Sequence, residues 1–153
     1  MKRKQDNFVR NTLVGFAVIF AILITGVIIL NNSGDTKNNY SDFRRITDYS
    51  DVDEQDSELY GVYFYSETCG ACISIKDETM QFGSNNVLNL ELFMLDANIT
   101  TGDRSAISLR GDGMNSTPTL LIYKDNVLVN YYVGTNEITG FYDAVKNNTT
   151  NLN

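Results

Sequence analysis

The sequence predicts an α/β domain, a mixed central β-sheet flanked by helices, preceded by one membrane-spanning segment. Three observations carry this reading. Strand-like apolar runs alternate with helix-like segments over residues 59–110, a hairpin and a last helix follow, and nineteen uncharged residues, Thr12–Leu30, precede them all. Composition agrees, since 42% of the 153 residues are hydrophobic and 20% charged, enough apolar surface to offset the ordering entropy of one domain.

The first element, TLVGFAVIFAILITGVIIL over 12–30, extends roughly 28 Å as a helix, close to a bilayer core of about 30 Å. Lys2, Arg3, Lys4 and Arg10 stand before it against the single acid Asp6, so residues 1–11 are expected in the cytoplasm and the rest beyond the cell membrane. Its length, and its ending Ile28-Ile29-Leu30-Asn31-Asn32 without a small-residue cleavage site, favour a single-pass signal anchor over a cleaved signal peptide. Residues 31–40, NNSGDTKNNY, are polar and small and read as a tether, which leaves 41–153 as the extracytoplasmic domain. The formal net charge of the chain is −7; beyond the anchor, eight basic and eighteen acidic residues make it −10. An acidic domain lacks the basic face that nucleic acid requires, so nucleic acid is excluded as a partner.

Within the domain, Ser41-Asp42 is expected to cap a short amphipathic helix carrying Phe43, Ile46, Tyr49 and Val52. Leu59–Tyr65, LYGVYFY, is β-branched and aromatic with little polarity and reads as a central strand buried on both faces. A helix is expected to start near Cys69 or Gly70 and to run through Phe82. Val87–Asp96 alternates into a second strand, and Thr101-Gly102-Asp103 is expected to open a helix reaching Leu109 or Arg110. The single proline, Pro118, suits the first residue of a strand through Tyr123. Lys124-Asp125-Asn126 then reads as a three-residue hairpin loop into Val127–Val133, and a final helix begins at Asn136-Glu137 with Ile138, Phe141, Tyr142 and Val145 on one face.

The chemistry sits in Cys69 and Cys72. The chain has no histidine, which removes His-based nucleophile activation and most zinc or haem sites, and two cysteines are too few for a four-ligand metal site. No metal, nucleotide or flavin is implied. At a helix start, residues i and i+3 share a face about 5 to 6 Å apart, within reach of a disulfide. The first cysteine faces free backbone N–H groups and the positive end of the helix, which favour its thiolate. Cys69 is therefore the expected nucleophile and Cys72 the resolving thiol, exchanging disulfides through a mixed disulfide, with the small Gly70 and Ala71 leaving room for a substrate chain.

Over Asp42–Asn147 the chain resembles the thioredoxin superfamily. The features that match are the strand Gly61-Val62-Tyr63-Phe64-Tyr65, the motif Thr68-Cys69-Gly70-Ala71-Cys72 opening a helix, the strand ending at Asp96, and Thr117-Pro118-Thr119 starting a hairpin. Within that superfamily it looks most like small membrane-anchored proteins of Gram-positive bacteria, including bacteriocin transport accessory proteins. The resemblance implies a thioredoxin-like fold, a redox-active Cys69–Cys72 disulfide in place of a cofactor, and a cis Pro118 beside the cysteines. It also implies that Thr117 offers its backbone to a substrate lying in a groove formed with Gly70, Ala71 and Pro118. The partners implied are thiols and disulfides of exported proteins or peptides, an unidentified redox partner, and the membrane through residues 12–30.

Several positions depart from the family pattern. Thr68 stands where tryptophan is usual, Ala71 where proline is usual, and Ile73 where a basic residue is usual. The buried acid that assists the resolving cysteine falls at Tyr63 and its lysine partner near Leu92, so turnover as a general reductant is in question. Glu67 is a candidate substitute, against the plainer reading of a solvated loop acid. The uncharged Gly70-Ala71 pair predicts a potential nearer to reductases or isomerases than to strong oxidases. Two functions follow: a membrane-anchored thiol-disulfide oxidoreductase, or a non-catalytic binding module accessory to a peptide exporter.

Overall fold

A computed structural model describes residues 37–85, 88–107 and 116–150. The segment 12–30, and with it the expected anchor, lies outside the described residues; within them no helix is long and apolar enough to cross a membrane. Among the described residues five strands form one sheet: β1 (Arg44–Ile46), β2 (Leu59–Tyr65), β3 (Glu91–Asp96), β4 (Thr119–Lys124) and β5 (Val127–Val133), in the spatial order β1-β3-β2-β4-β5. The first three strands are parallel, β4 runs antiparallel to β2, and β5 antiparallel to β4. Among the described residues three helices accompany them: α1 (Gly70–Ser74), α2 (Lys76–Asn85) and α3 (Thr135–Lys146).

The apolar run of β2 is central, as its composition requires. Every residue from Tyr60 to Tyr65 is buried, and the period of two sends them to two separate cores. Tyr63 and Tyr65 join Leu92, Met94, Leu120 and Ile122 on the face covered by the helices, where Cys72, Met80, Ile138 and Phe141 close the layer. Tyr60, Val62 and Phe64 join Phe93, Leu95 and Leu121 on the opposite face, beneath Ile46, Tyr49 and Val52.

That division explains why the first expected helix does not form. Phe43 packs into the helix-side core and Ile46 into the other, which a helical spacing of three cannot achieve and an extended chain does automatically. Arg44–Ile46 instead pairs with Phe93, Met94 and Leu95 and covers the open edge of β3, flanked by single turns at Tyr40–Asp42 and Tyr49–Asp51. The tether also ends sooner than expected. Tyr40 is buried, the Lys37 amide donates to Ser84 Oγ at 3.2 Å, and the Lys37 ammonium lies 4.4 Å from the centre of the Phe43 ring.

Other boundaries moved for local reasons. The helix expected through Phe82 is broken at Ile75 (φ −114°, ψ 12°). Ser74 Oγ donates to the Ala71 carbonyl at 2.8 Å, and the Ile75 amide turns instead to the Ile73 carbonyl, so the regular ladder lapses for one residue. Gly83 in α2 permits the helix to lie against the sheet, because a Cβ there would sit 2.5 Å from the Phe43 ring and 2.7 Å from Leu92. The strand expected from Val87 starts at Glu91, after Asn89 in the left-handed region (φ 54°); Val87 itself lies outside the described residues. Thr101 bridges back to Thr47 and Tyr49 instead of opening a helix, and only the turn Arg104–Ala106 follows, capped by Asp103; residues 108–115 lie outside the described residues. The hairpin loop has two residues, Asp125 (φ 50°) and Asn126 (φ 62°), the two positive φ values of a type I′ turn, so Lys124 belongs to β4. The last helix starts at Thr135, one residue before the expected Asn136.

Candidate active site

The site lies where β2 passes into α1. Strand β2 ends at Tyr65, and the turn Ser66-Glu67-Thr68 is closed by the Cys69 amide donating to the Ser66 carbonyl at 3.1 Å and by the Ser66 and Thr68 hydroxyls 3.0 Å apart. Asn98, just beyond β3, donates from Nδ2 to Ser66 Oγ at 3.0 Å, tying the turn to the neighbouring strand end. Nothing in the linear pattern of residues 66–72 pointed to Asn98. Its signal was the Asp96-x-Asn98 spacing of an Asx turn, in which the Asn98 amide donates to Asp96 Oδ1 at 2.9 Å.

Cys69 caps α1. Its backbone is extended (φ −79°, ψ 116°), and its sulfur accepts the Cys72 amide at 3.4 Å, using a helix donor that would otherwise lack a partner. The same sulfur donates to the Thr117 carbonyl at 3.3 Å. The Thr117–Pro118 peptide bond is cis, as the family resemblance implied, and Pro118 is buried. The loop is held from both sides, by Thr119 Oγ1 donating to the Ser116 carbonyl at 2.7 Å and by the Gly134 amide donating to the Pro118 carbonyl at 2.9 Å. Gly70 and Ala71 are exposed beside Cys69, and a Cβ built on Gly70 would meet nothing within 4 Å. The structure thus brings Cys69, Gly70, Ala71, Cys72, Thr117 and Pro118 into one neighbourhood.

The two thiols are chemically unlike. Burial by itself pushes the Cys69 thiol up, but hydrogen bonds from the Cys72 thiol, the Thr117 hydroxyl and the amides of Cys72 and Ala71 outweigh it, so Cys69 ionises below the ordinary cysteine value. Cys72 is fully buried; desolvation, then donation of its proton toward Cys69, push its thiol up to about 11. Both cysteines are free thiols here, Cys69 partly exposed. Glu67 is exposed, and its charge is felt by Tyr65; it is not among the leading influences on either cysteine, which favours the solvated reading. One neighbour escaped the sequence reading altogether. Tyr40, assigned to the tether, is buried and its hydroxyl donates to the Cys72 carbonyl at 3.5 Å; its three-residue spacing from Phe43 was the available clue.

Among the described residues no group of three or more cysteine, aspartate or glutamate side chains is placed to hold a metal ion. Comparison with known proteins agrees with the geometry. No curated protein matches the chain significantly. Among solved structures, mitochondrial thioredoxin 3 from Saccharomyces cerevisiae in its oxidized form aligns with a TM-score of 0.56 at 15% identity, covering 71% of this chain and 97% of that one. Thioredoxin from Trypanosoma brucei brucei gives 0.56 at 15% identity over 71% of this chain and 92% of its own. Fasciola hepatica thioredoxin gives 0.54 at 20% identity over 69% and 98%. These likenesses establish the thioredoxin-like fold, which is consistent with thiol-disulfide oxidoreductase activity; proteins of this fold generally act through their cysteine pair without a cofactor. The thioredoxin family model matches residues 36–147, well over half of the sequence, and on that match, carried by this fold and cysteine geometry, the chain belongs to the thioredoxin family.

Proposed function

We propose that the protein is a membrane-anchored, extracytoplasmic thiol-disulfide oxidoreductase that exchanges disulfides in exported proteins or peptides. One observation carries the chemistry: a partly exposed Cys69 whose sulfur collects hydrogen bonds that favour its thiolate, one turn from a buried Cys72 whose proton is retained. Cys69 attacks a substrate disulfide, the substrate chain lies along Gly70, Ala71, Thr117 and Pro118, and Cys72 resolves the mixed disulfide. The anchor over 12–30, with residues 1–11 cytoplasmic, places the pair in a compartment where disulfides persist. The subtype proposed is the bacteriocin transport accessory kind.

The test is thiol trapping of the full-length chain across a series of glutathione redox buffers, with membrane fractionation and protease accessibility reporting location. A single midpoint for the Cys69–Cys72 pair supports exchange, and thiols that never interconvert refute it. The second reading, a non-catalytic accessory module, is favoured by the Cys72 thiol standing at about 11 with no carboxylate among its leading influences. Cys69→Ser separates the two. An accessory keeps its function in that variant, whereas an oxidoreductase loses it and Cys72→Ser accumulates mixed disulfides.

A further inference from the structure

Among the described residues, the large apolar side chains left exposed are Ile73, Ile99, Val127, Val129 and Val133. Single exposed apolar groups are ordinary on a protein surface, so their position decides whether they carry meaning. Val127 pairs with Lys124 at the hairpin turn of β4 and β5, the end of the sheet away from the cysteines. Ile73 and Ile99 stand at the cysteine end, and neither belongs to the groove of Gly70, Ala71, Thr117 and Pro118 described above.

Ile73 lies one helical turn from Cys69. Its amide donates to the Cys69 carbonyl at 3.0 Å, and residues four apart on a helix share a face with Cβ atoms about 5 to 6 Å apart. The inward side of this short helix is taken by Cys72, and Ile73 is left 59% exposed on the turn that carries the attacking sulfur. Ile99, 56% exposed, comes from another direction. Strands β3 and β4 lie on opposite sides of β2, so the loop beyond β3 approaches the β2–α1 turn from the side opposite to Thr117 and Pro118. That loop leaves the sheet at Asp96, registered against Tyr65, and it is firmly held: the Ile99 and Thr100 amides donate to the Asp96 carbonyl at 3.3 and 3.0 Å, and Asn98 Nδ2 donates to Ser66 Oγ at 3.0 Å. Ile99 is thus presented on a fixed frame, one residue from a side chain bonded to the active-site turn. The exposed residues Thr68, Gly70, Ala71 and Asn98 around Cys69 carry no charge, and Glu67 is the acid beside them.

We propose that Ile73 and Ile99 are specificity-determining residues that receive apolar side chains flanking the substrate disulfide, so that the protein favours cysteines set in extended apolar segments. The proposal rests on the exchange reading above and names the substrate class of that same site. The surface is continuous with the Cys69 groove, and an apolar side chain laid on either isoleucine removes from water an area that folding left exposed. Because the frame beneath Ile99 is already ordered, little ordering has to accompany docking. The reaction served is the reduction of the bound disulfide. The Cys69 thiolate attacks one substrate sulfur, the substrate S–S bond breaks and the other half leaves as a thiolate that takes up a proton. The Cys72 sulfur then attacks the Cys69 sulfur, gives up its proton to the second departing half, and leaves the pair oxidised.

The experiment follows single turnovers of the full-length reduced chain, which needs no other reductant, with two substrates. Each is the disulfide-linked homodimer of a short capped peptide without charged side chains, one with leucine on both sides of its cysteine and the other with serine, so that Glu67 acts equally on both. The parent should reduce the leucine dimer about tenfold faster than the serine dimer, as second-order rate constants from acid-quenched samples. Ile73→Ser and Ile99→Ser should each lower that ratio about threefold through a slower leucine reaction, whereas Ile73→Leu and the distant Val127→Ser should keep it. A parent ratio near one, equal slowing of both dimers by Ile73→Ser and Ile99→Ser, or the same loss in Val127→Ser overturns the proposal. So does a parent that sediments as a dimer and becomes a monomer in Ile73→Ser, because a second copy of the chain is then the occupant. A parent that reduces neither peptide dimer overturns the exchange reading as well, and so distinguishes the two failures.

Discussion

Alkylation of the two cysteines as a function of pH reads the asymmetry of the site directly. The reduced full-length chain is treated with iodoacetamide between pH 6 and pH 11, and initial rates are measured at each position. Trypsin leaves both cysteines on the peptide Ile46–Lys76, free of internal lysine or arginine, so fragment ions that separate Cys69 from Cys72 are required. The rise of the Cys72 thiol from its ordinary 9.0 to about 11 lowers its thiolate fraction at neutral pH about a hundredfold, and since the thiolate is the nucleophile its rate falls in proportion. Cys69 moves the other way and is the more exposed. Its rate should therefore level off below pH 9, while that of Cys72 climbs about tenfold per pH unit through pH 10. Burial adds a further, pH-independent slowing of Cys72, which leaves the slope as the informative quantity. A Cys72 rate that levels off at or below pH 9, or one that matches Cys69 at neutral pH, would refute the burial argument.

The same environment makes stability pH-dependent. A thiol raised by folding costs nothing below its unfolded value near 9 and destabilises as pH climbs toward 11, because the unfolded chain then loses a proton that the folded chain keeps; the loss approaches about 2 to 3 kcal/mol. Cys69, which ionises below its ordinary value, acts in the opposite direction up to about pH 9, whereas buried tyrosines add to the loss above pH 10, Tyr60 and Tyr65 each being pushed up to about 12, so urea midpoints of the reduced chain should hold or rise from pH 7 to pH 8.5 and fall steeply by pH 10.5. Gly83→Ala should destabilise by about 1 to 2 kcal/mol, the strain of a Cβ at 2.5 Å from Phe43 and 2.7 Å from Leu92 exceeding the helix-propensity gain of about 1 kcal/mol; an unchanged urea midpoint would show that α2 shifts freely. The Cys69–Cys72 midpoint potential should fall between about −270 and −180 mV, since Gly70 and Ala71 bring no charge to the thiolate, and a value near about −120 mV in glutathione titration would reverse that assignment.

Those elements whose evidence is local were legible in the sequence. The run LYGVYFY could only be buried on both faces, the Cys69–Cys72 spacing at a strand-to-helix junction placed two thiols on one turn, and Ile138, Phe141, Tyr142 and Val145 marked the inner face of the last helix. Where the reading went astray, a partner distant in sequence decided the outcome. Phe43 and Ile46 have a spacing that suits a helix, yet the edge of β3, almost fifty residues on, draws them into a strand whose alternate faces feed two cores. Thr101, read as a helix start, is instead held by the backbone of Thr47.

At the site the division is the same. Residue identity alone determined the reactive pair, the uncharged Gly70-Ala71 between its members, and the absence of histidine, because these follow from composition and spacing. Only the tertiary structure decided which atoms set each thiol's affinity for its proton. The Thr117 carbonyl and hydroxyl reach the Cys69 sulfur from just before β4, while Asn98, from beyond β3, holds the turn that precedes α1, and Tyr40, from before β1, donates to the Cys72 carbonyl. Hydrogen bonding and desolvation act over a few ångströms in space, and a linear pattern holds no measure of distance between residues that the fold brings together.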